Sequence, residues 1–178
     1  MSTFKVICRN ETQFVAPTGL PKYHDDQALH DVVSYCLDYE KIPNHFVGSY
    51  GVNPNHADLE MELLARAYGK ASGLRLRHFV LAFSPDEVKR FHSKVNETLL
   101  RIAWYAAGYY GGEYQIIFAV HEDTENPHIH FVMNTVSYLT GRKYRGDKAD
   151  YYQFQSYLGQ FLMEQYGLYL IPVKDQAE

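Results

Sequence analysis

Apolar positions recur along the chain with two periods, and the switch between them marks its elements. Ala28, Leu29, Val32, Val33, Cys36 and Leu37 fall at three-to-four spacing, which predicts an amphipathic helix over residues 27–40 that Pro43 must end. Asn53-Pro54 opens a second helix, whose stripe is Leu59, Leu63 and Leu64 with Met61 off it, running to the small residues of 69–73. Ser84-Pro85-Asp86-Glu87 is a third start: serine as N-cap, proline at the first helical position and glutamate three residues after the cap. Val88, Phe91, Val95, Leu99, Ile102 and Ala106 then hold the helical period up to Gly108, and Gly111-Gly112 breaks it. A last helix covers roughly 148–166 and stops at Gly167, with an extended tail through Pro172.

The remaining apolar runs have the two-residue period or none. Residues 4–9 read as a short strand, followed by a loop over 10–26 that carries Pro17, Gly19 and Pro21. Residues 77–84 (RHFVLAFS) form a continuous apolar run, as in a central strand covered on both faces. Residues 114–121 and 128–136 are two strands joined by 122–127, a stretch of turn-formers, and so predict an antiparallel hairpin. The sum is an α+β fold: an antiparallel central sheet with helices packed on its faces, in one domain spanning 1–178.

Composition narrows the class. Hydrophobic residues make up 46% and charged residues 21%, the balance of an ordinary globular protein. The longest apolar stretches, 79–83 and 116–120, fall far short of the ~18 residues of a membrane span, and residues 1–7 lack a signal-peptide pattern. The expected compartment is the cytoplasm, with no membrane partner. Cys8 and Cys36, without a CxxC pair, exclude a four-cysteine zinc site and predict two reduced thiols. The net charge of −4 has the wrong sign for a generic nucleic-acid binder, but it is unevenly distributed. Residues 66–101 carry eight basic against three acidic side chains, and Arg142, Lys143, Arg145 and Lys148 form a later cluster, so two local patches can meet a phosphate backbone.

Chemistry concentrates in His121-Glu-Asp-Thr-Glu-Asn-Pro-His128-Ile-His130-Phe-Val-Met-Asn134. Residues two apart on a strand share a face, so His128 and His130 stand side by side, and the hairpin brings His121 within reach. Three imidazoles make a ligand set for one divalent ion with open positions, as in catalytic sites. Neutral imidazoles favour Mn, Co, Ni or Zn over Mg by affinity, although Mn or Mg can be the ion in use. Asp123 and Asn134 are candidates for fixing imidazole tautomers from behind. Three neutral ligands leave the full 2+ charge on the metal, suited to polarising a phosphate diester or to generating hydroxide. A nucleophile is less legible. Tyr35 lies about 110° from the centre of the apolar face of its helix at 100° per residue, hence partly accessible, and a phenol with pKa about 10 needs help to attack at neutral pH.

The segment HEDTENPHIHFVMN resembles the three-histidine motif of the relaxase/mobilisation nuclease family, the conjugative and mobilisable-element HUH endonucleases, whose pattern is close to HxDxxxPHxHxxxN. VVSYCLDYEK (32–41) is similar to that family's nucleophile motif, RHFVLAFSPDE (77–87) to its strand-to-helix motif and YYGGEYQIIFAVHED (109–123) to the strand entering the first ligand. GSYGVNP and YGKASG look like a subgroup from integrative elements, and the resemblance covers about 4–172. It implies the HUH relaxase fold and metal-dependent nicking of single-stranded DNA at a transfer origin. Tyr35 would be the nucleophile forming a 5′-phosphotyrosyl intermediate, His121, His128 and His130 the ligands, and an accessory DNA-binding protein and a coupling protein the partners. Tyr39, one helical turn beyond Tyr35, is the alternative nucleophile. Two other readings stay open: a catalytically silent single-stranded DNA-binding or replication-accessory module of the same fold, which a buried Tyr35 far from the histidines would favour, and phosphoester hydrolysis by water.

Overall fold

The alternating stretches on either side of residues 122–127 do fold back on each other, and everything else is arranged around that hairpin. The computed structural model describes residues 2–6, 23–42 and 46–172. Strands β1 (Ser2–Val6), β2 (Val47–Tyr50), β3 (Leu76–Ala82), β4 (Tyr114–His121), β5 (His128–Ser137) and β6 (Leu170–Pro172) form one sheet in the order β2-β4-β5-β3-β1-β6. The α-helices among the described residues are α1 (Asp26–Cys36), α2 (Ala57–Ala67), α3 (Pro85–Val88), α4 (Val95–Gly111) and α5 (Lys148–Tyr166). All strand pairs are antiparallel except β1 with β6. The expected α+β fold, with an antiparallel central sheet carrying the histidine hairpin, is therefore the fold observed.

The two-residue period of β3, β4 and β5 divides their side chains between two cores. Phe79, Leu81, Ile116, Phe118, Val120, Ile129, Phe131 and Met133 meet Leu99, Ile102 and Ala106 of α4 and Phe154, Leu158 and Leu162 of α5. Leu76, Ile117, Ala119 and Val132 point the other way, against Leu29, Val33 and Cys36 of α1 and Ala57 and Met61 of α2. His121 and His130 continue the second set, two residues on from Ala119 and two back from Val132. That parity places the histidines under α1.

Two expectations fail on inspection. The helix begun at Ser84, whose capping box is present, does not run unbroken to Gly108. A 3-10 stretch, Lys89–Lys94, interrupts it, with His92 at φ 51°. The break turns Phe91 against Phe83 and Tyr166, at ring centroid distances of 6.2 and 5.7 Å, before α4 begins. β2 was not expected at all, because VGSY has no alternation to announce it; it is a strand through pairing with β4, from Val47 opposite Ala119 to Tyr50 opposite Ile116. Cys8, Pro43 and the expected strand and loop residues at 7–22 lie outside the described residues. No helix among those described is long and apolar enough to cross a membrane.

Candidate active site

The hairpin register sets His121 directly across from His128, with His130 opposite Ala119. The ring centroids of the three imidazoles lie 4.6 to 5.5 Å apart, and one ring nitrogen from each falls within 4.8 Å of the others. Their hydrogen bonds show which nitrogens remain for a ligand. His121 Nε2–H donates to the Cys36 carbonyl at 2.9 Å, leaving Nδ1 buried without a partner. His128 Nδ1–H donates to the Asn126 carbonyl at 3.0 Å, leaving Nε2. His130 Nδ1 is 2.7 Å from His78 Nε2, and its Nε2 is buried and unpartnered. The two buried imidazole nitrogens without partners, on His121 and His130, cost free energy unless something binds them, and together with His128 Nε2 they fit a divalent cation. Burial, then the neighbouring His78, His121 and His128, pushes the pKa of His130 down to about 2; burial also lowers that of His121. Both rings are held neutral, as ligands must be.

Tyr35 stands over this cluster. It is 42% exposed, with its ring 5.2 Å from that of His130, edge-on, and 5.9 Å from that of His121. Lys41 Nζ sits 4.1 Å from the centroid of the same ring and forms an ion pair with Asp38 at 3.1 Å. That pairing raises the pKa of Lys41, so it remains a cation against the phenol. An open cavity of 820 Å³ lies alongside, with Ser34, Tyr35, Asp38 and Asn55 in its walls.

The end of α1 explains how the tyrosine comes to be there. The apolar periodicity predicts helix to residue 40, yet α1 stops at Cys36. In a continued helix the Cys36 carbonyl would accept from the Glu40 N–H. Instead Glu40 N–H donates to Asp38 Oδ1, at 3.1 Å, and the Cys36 carbonyl accepts a hydrogen bond from His121 Nε2–H. The bond that fixes the tautomer of His121 thus falls at the end of the helix, one residue after Tyr35. Tyr39 falls beyond that end, so the one-turn neighbourhood assumed for it does not hold; it is exposed and its hydroxyl donates to Asn55 Oδ1 at 3.5 Å.

The other expected site residues divide. Asp123 Oδ1 lies 3.8 Å from His128 Nε2, beside the nitrogen left for a ligand rather than behind the ring. Asn134 is not behind an imidazole: its amide donates to the Met61 carbonyl and to Gln115 Oε1, and its oxygen accepts from the Val136 N–H. It is 1% exposed and ties α2 to the sheet, four residues from His130 and hence about 13 Å along β5. Arg142, Arg145 and Lys148 are exposed, beyond the opposite end of β5 from His128. Lys143 is half-buried, its ammonium donating to the Ser72 and Leu74 carbonyls. The residue that reading the sequence missed is His78, whose place in an apolar strand run offered no signal.

Residues 35–168 match the relaxase family described as MobA/VirD2-like, nuclease domain. The chain belongs to this relaxase family. Among curated relatives, Protein rlx of Staphylococcus aureus is 32% identical over 81 residues, which is 46% of this relaxase chain and 23% of that protein. The group II intron-interrupted relaxase LtrB of Lactococcus lactis subsp. cremoris (strain MG1363) is 30% identical over 70 residues, 38% of this chain and 11% of that protein. The match thus spans less than a quarter of either relative. Among solved structures, the MobM relaxase domain (MOBV; Mob_Pre) bound to 26nt pMV158 oriT DNA superimposes with TM-score 0.61 at 13% identity, covering 99% of this chain and 93% of that one. At that identity the likeness is one of fold.

Proposed function

We propose that this relaxase domain, taken as a single nuclease domain over residues 1–178, nicks one strand of DNA at a transfer origin by tyrosine transesterification, with Tyr35 as nucleophile and His121, His128 and His130 holding one divalent ion. The observation that carries the reading is the exposed Tyr35 ring, 5.2 Å from the ring of His130, above three imidazoles whose remaining nitrogens converge. In the step itself a bond forms between Tyr35 Oη and the scissile phosphorus while the bond from phosphorus to the 3′ oxygen breaks. The phenol proton is lost to solvent, and the departing 3′ oxygen picks one up as a hydroxyl. One phosphodiester replaces another, so the exchange is nearly isoenergetic and can be reversed by a returning 3′-OH. Lys41 supports the attack by holding positive charge against a phenol that becomes phenolate-like. Held by His121, His128 and His130, a divalent cation would supply positive charge to offset the charge that develops on the phosphate. Three neutral nitrogen ligands suit Mn, Co, Ni or Zn by affinity, with Mn or Mg as the ion in use.

The substrate reading is supported by the fold shared with a relaxase domain bound to oriT DNA. With a net charge of −4, this chain relies on local basic patches for that contact, and on an accessory DNA-binding protein and a coupling protein for recruitment. The test is a labelled single strand from the transfer origin beside the chain's own gene, incubated with Mn and run under denaturing conditions. Wild type should give a nicked product and a covalent adduct. Tyr35→Phe keeps the ring and loses the attacking oxygen, so both should vanish while metal affinity and melting temperature hold. An adduct that persists in Tyr35→Phe but not in Tyr39→Phe moves the nucleophile to Tyr39. Cleavage by the wild type with no adduct at any residue replaces the proposal with hydrolysis by water.

A further inference from the structure

A buried histidine in β3 stands behind one of the two buried histidines of the cluster. His78 is 5% exposed, and its cross-strand partner is Val132 while that of His130 is Val80, so the two histidines are diagonal neighbours on one face. Their rings lie 5.0 Å apart at 34°, and His78 Nε2 meets His130 Nδ1 at 2.7 Å. A neutral imidazole has one lone-pair nitrogen. If His130 offers Nε2 to an ion, its proton must sit on Nδ1; the His78 nitrogen facing it must then accept, and the proton of His78 sits on Nδ1, which faces the Tyr23 hydroxyl at 3.5 Å.

We propose that His78 is a positioning residue for the metal centre, holding His130 in its Nδ1–H tautomer with Nε2 aimed at the ion. The inference rests on the three-histidine metal reading. The position behind a ligating histidine is usually held by a carboxylate, a backbone carbonyl or water. A carboxylate there would add negative charge within a few ångströms of the ion; an imidazole orients the ligand and adds none. The residue at this position therefore takes nothing from the positive charge that the attack on a phosphate diester calls for. Burial points the same way, since an anion at this position would lose its hydration beneath α1.

Two substitutions separate acceptor from packing. His78→Phe keeps a ring of similar size and leaves the His130 N–H without an acceptor; His78→Gln keeps an acceptor near the Nε2 position. The 178-residue chain, without DNA, is titrated with Co(II) by calorimetry and followed through its visible ligand-field spectrum. Metal-free melting temperatures are recorded in chelator. His78→Phe should bind Co(II) about 10- to 100-fold more weakly, with an altered spectrum, and His78→Gln should recover most of the affinity. Wild-type affinity and spectrum in His78→Phe would overturn the proposal. Equal losses in both variants would overturn it as well, because packing around the ring and not the acceptor would then be responsible. A wild-type chain that takes up no Co(II) removes the metal reading, and the proposal falls with it.

Discussion

Replacing Asn134 separates a structural residue from a site residue, because sequence spacing and geometry give it different tasks. The motif spacing puts it behind a ligand; the structure gives it three hydrogen bonds elsewhere, to the Met61 carbonyl, Gln115 Oε1 and the Val136 N–H. In Asn134→Ala these three partners remain buried and lose their counterpart. At about 1 kcal/mol net per hydrogen bond the loss is about 3 kcal/mol, and for a domain of this size each kcal/mol lowers the melting temperature by about 2–4 °C, giving a fall of about 6–12 °C. Thermal and urea unfolding of the chelated protein measure this, with an unchanged urea m-value marking a stability effect and not a change in the unfolded state. Co(II) affinity should stay at its wild-type value, because about 13 Å of strand separates Asn134 from His130. A normal melting temperature with Co(II) affinity reduced tenfold would refute the reasoning and return Asn134 to the metal site.

Two further outcomes follow from charges off the site. His30 of α1 lies 2.6 Å from Asp58 and 3.1 Å from Glu62 of α2, and these hydrogen bonds raise its pKa, with Asp58 the larger cause. Its stabilising contribution is therefore complete below about pH 6.5, the unfolded value, and is lost as pH rises through the higher folded pKa; urea denaturation of wild type against His30→Gln should show a stability difference that shrinks as pH increases. A constant difference would make the pair indifferent to charge. For the basic cluster, Arg142→Glu should flatten the salt dependence of single-strand binding by at least about 0.7 in log–log slope, one phosphate contact. Lys143→Glu should mainly lower the melting temperature, because its ammonium holds the Ser72 and Leu74 carbonyls; an unaltered slope in Arg142→Glu makes that side chain a solvated surface residue.

What could be read from the chain without its structure was what neighbours in sequence decide. The hairpin bounds, the capping box at Ser84 and the stop at Gly167 depend on local turn and cap chemistry, and all three are where the residues say. The convergence of His121, His128 and His130 follows from strand parity alone. Three things were hidden because distant residues settle them. α1 ends early at a carbonyl that accepts from a histidine 85 residues away. β2 exists through its partner, not through its own four residues. His78 sits in a run so apolar that nothing marked it as more than a buried core position, and its significance appears only when β3 lies against β5.

The hydrogen bond between His121 and Cys36 also has a bearing on timing. It joins parts of the chain made early and late in synthesis, 85 residues apart, and the bond from His78 to His130 spans 52. During translation the tyrosine helix emerges long before any of the three histidines, and nothing local can hold it at the position it later occupies. Closing loops of this length has an entropy cost that only the completed central strands offset. On the proposed reading, Tyr35 and the three histidines therefore come into register only when the central strands have paired. Any attack by that tyrosine would then be a property of the assembled sheet and not of the helix that carries it.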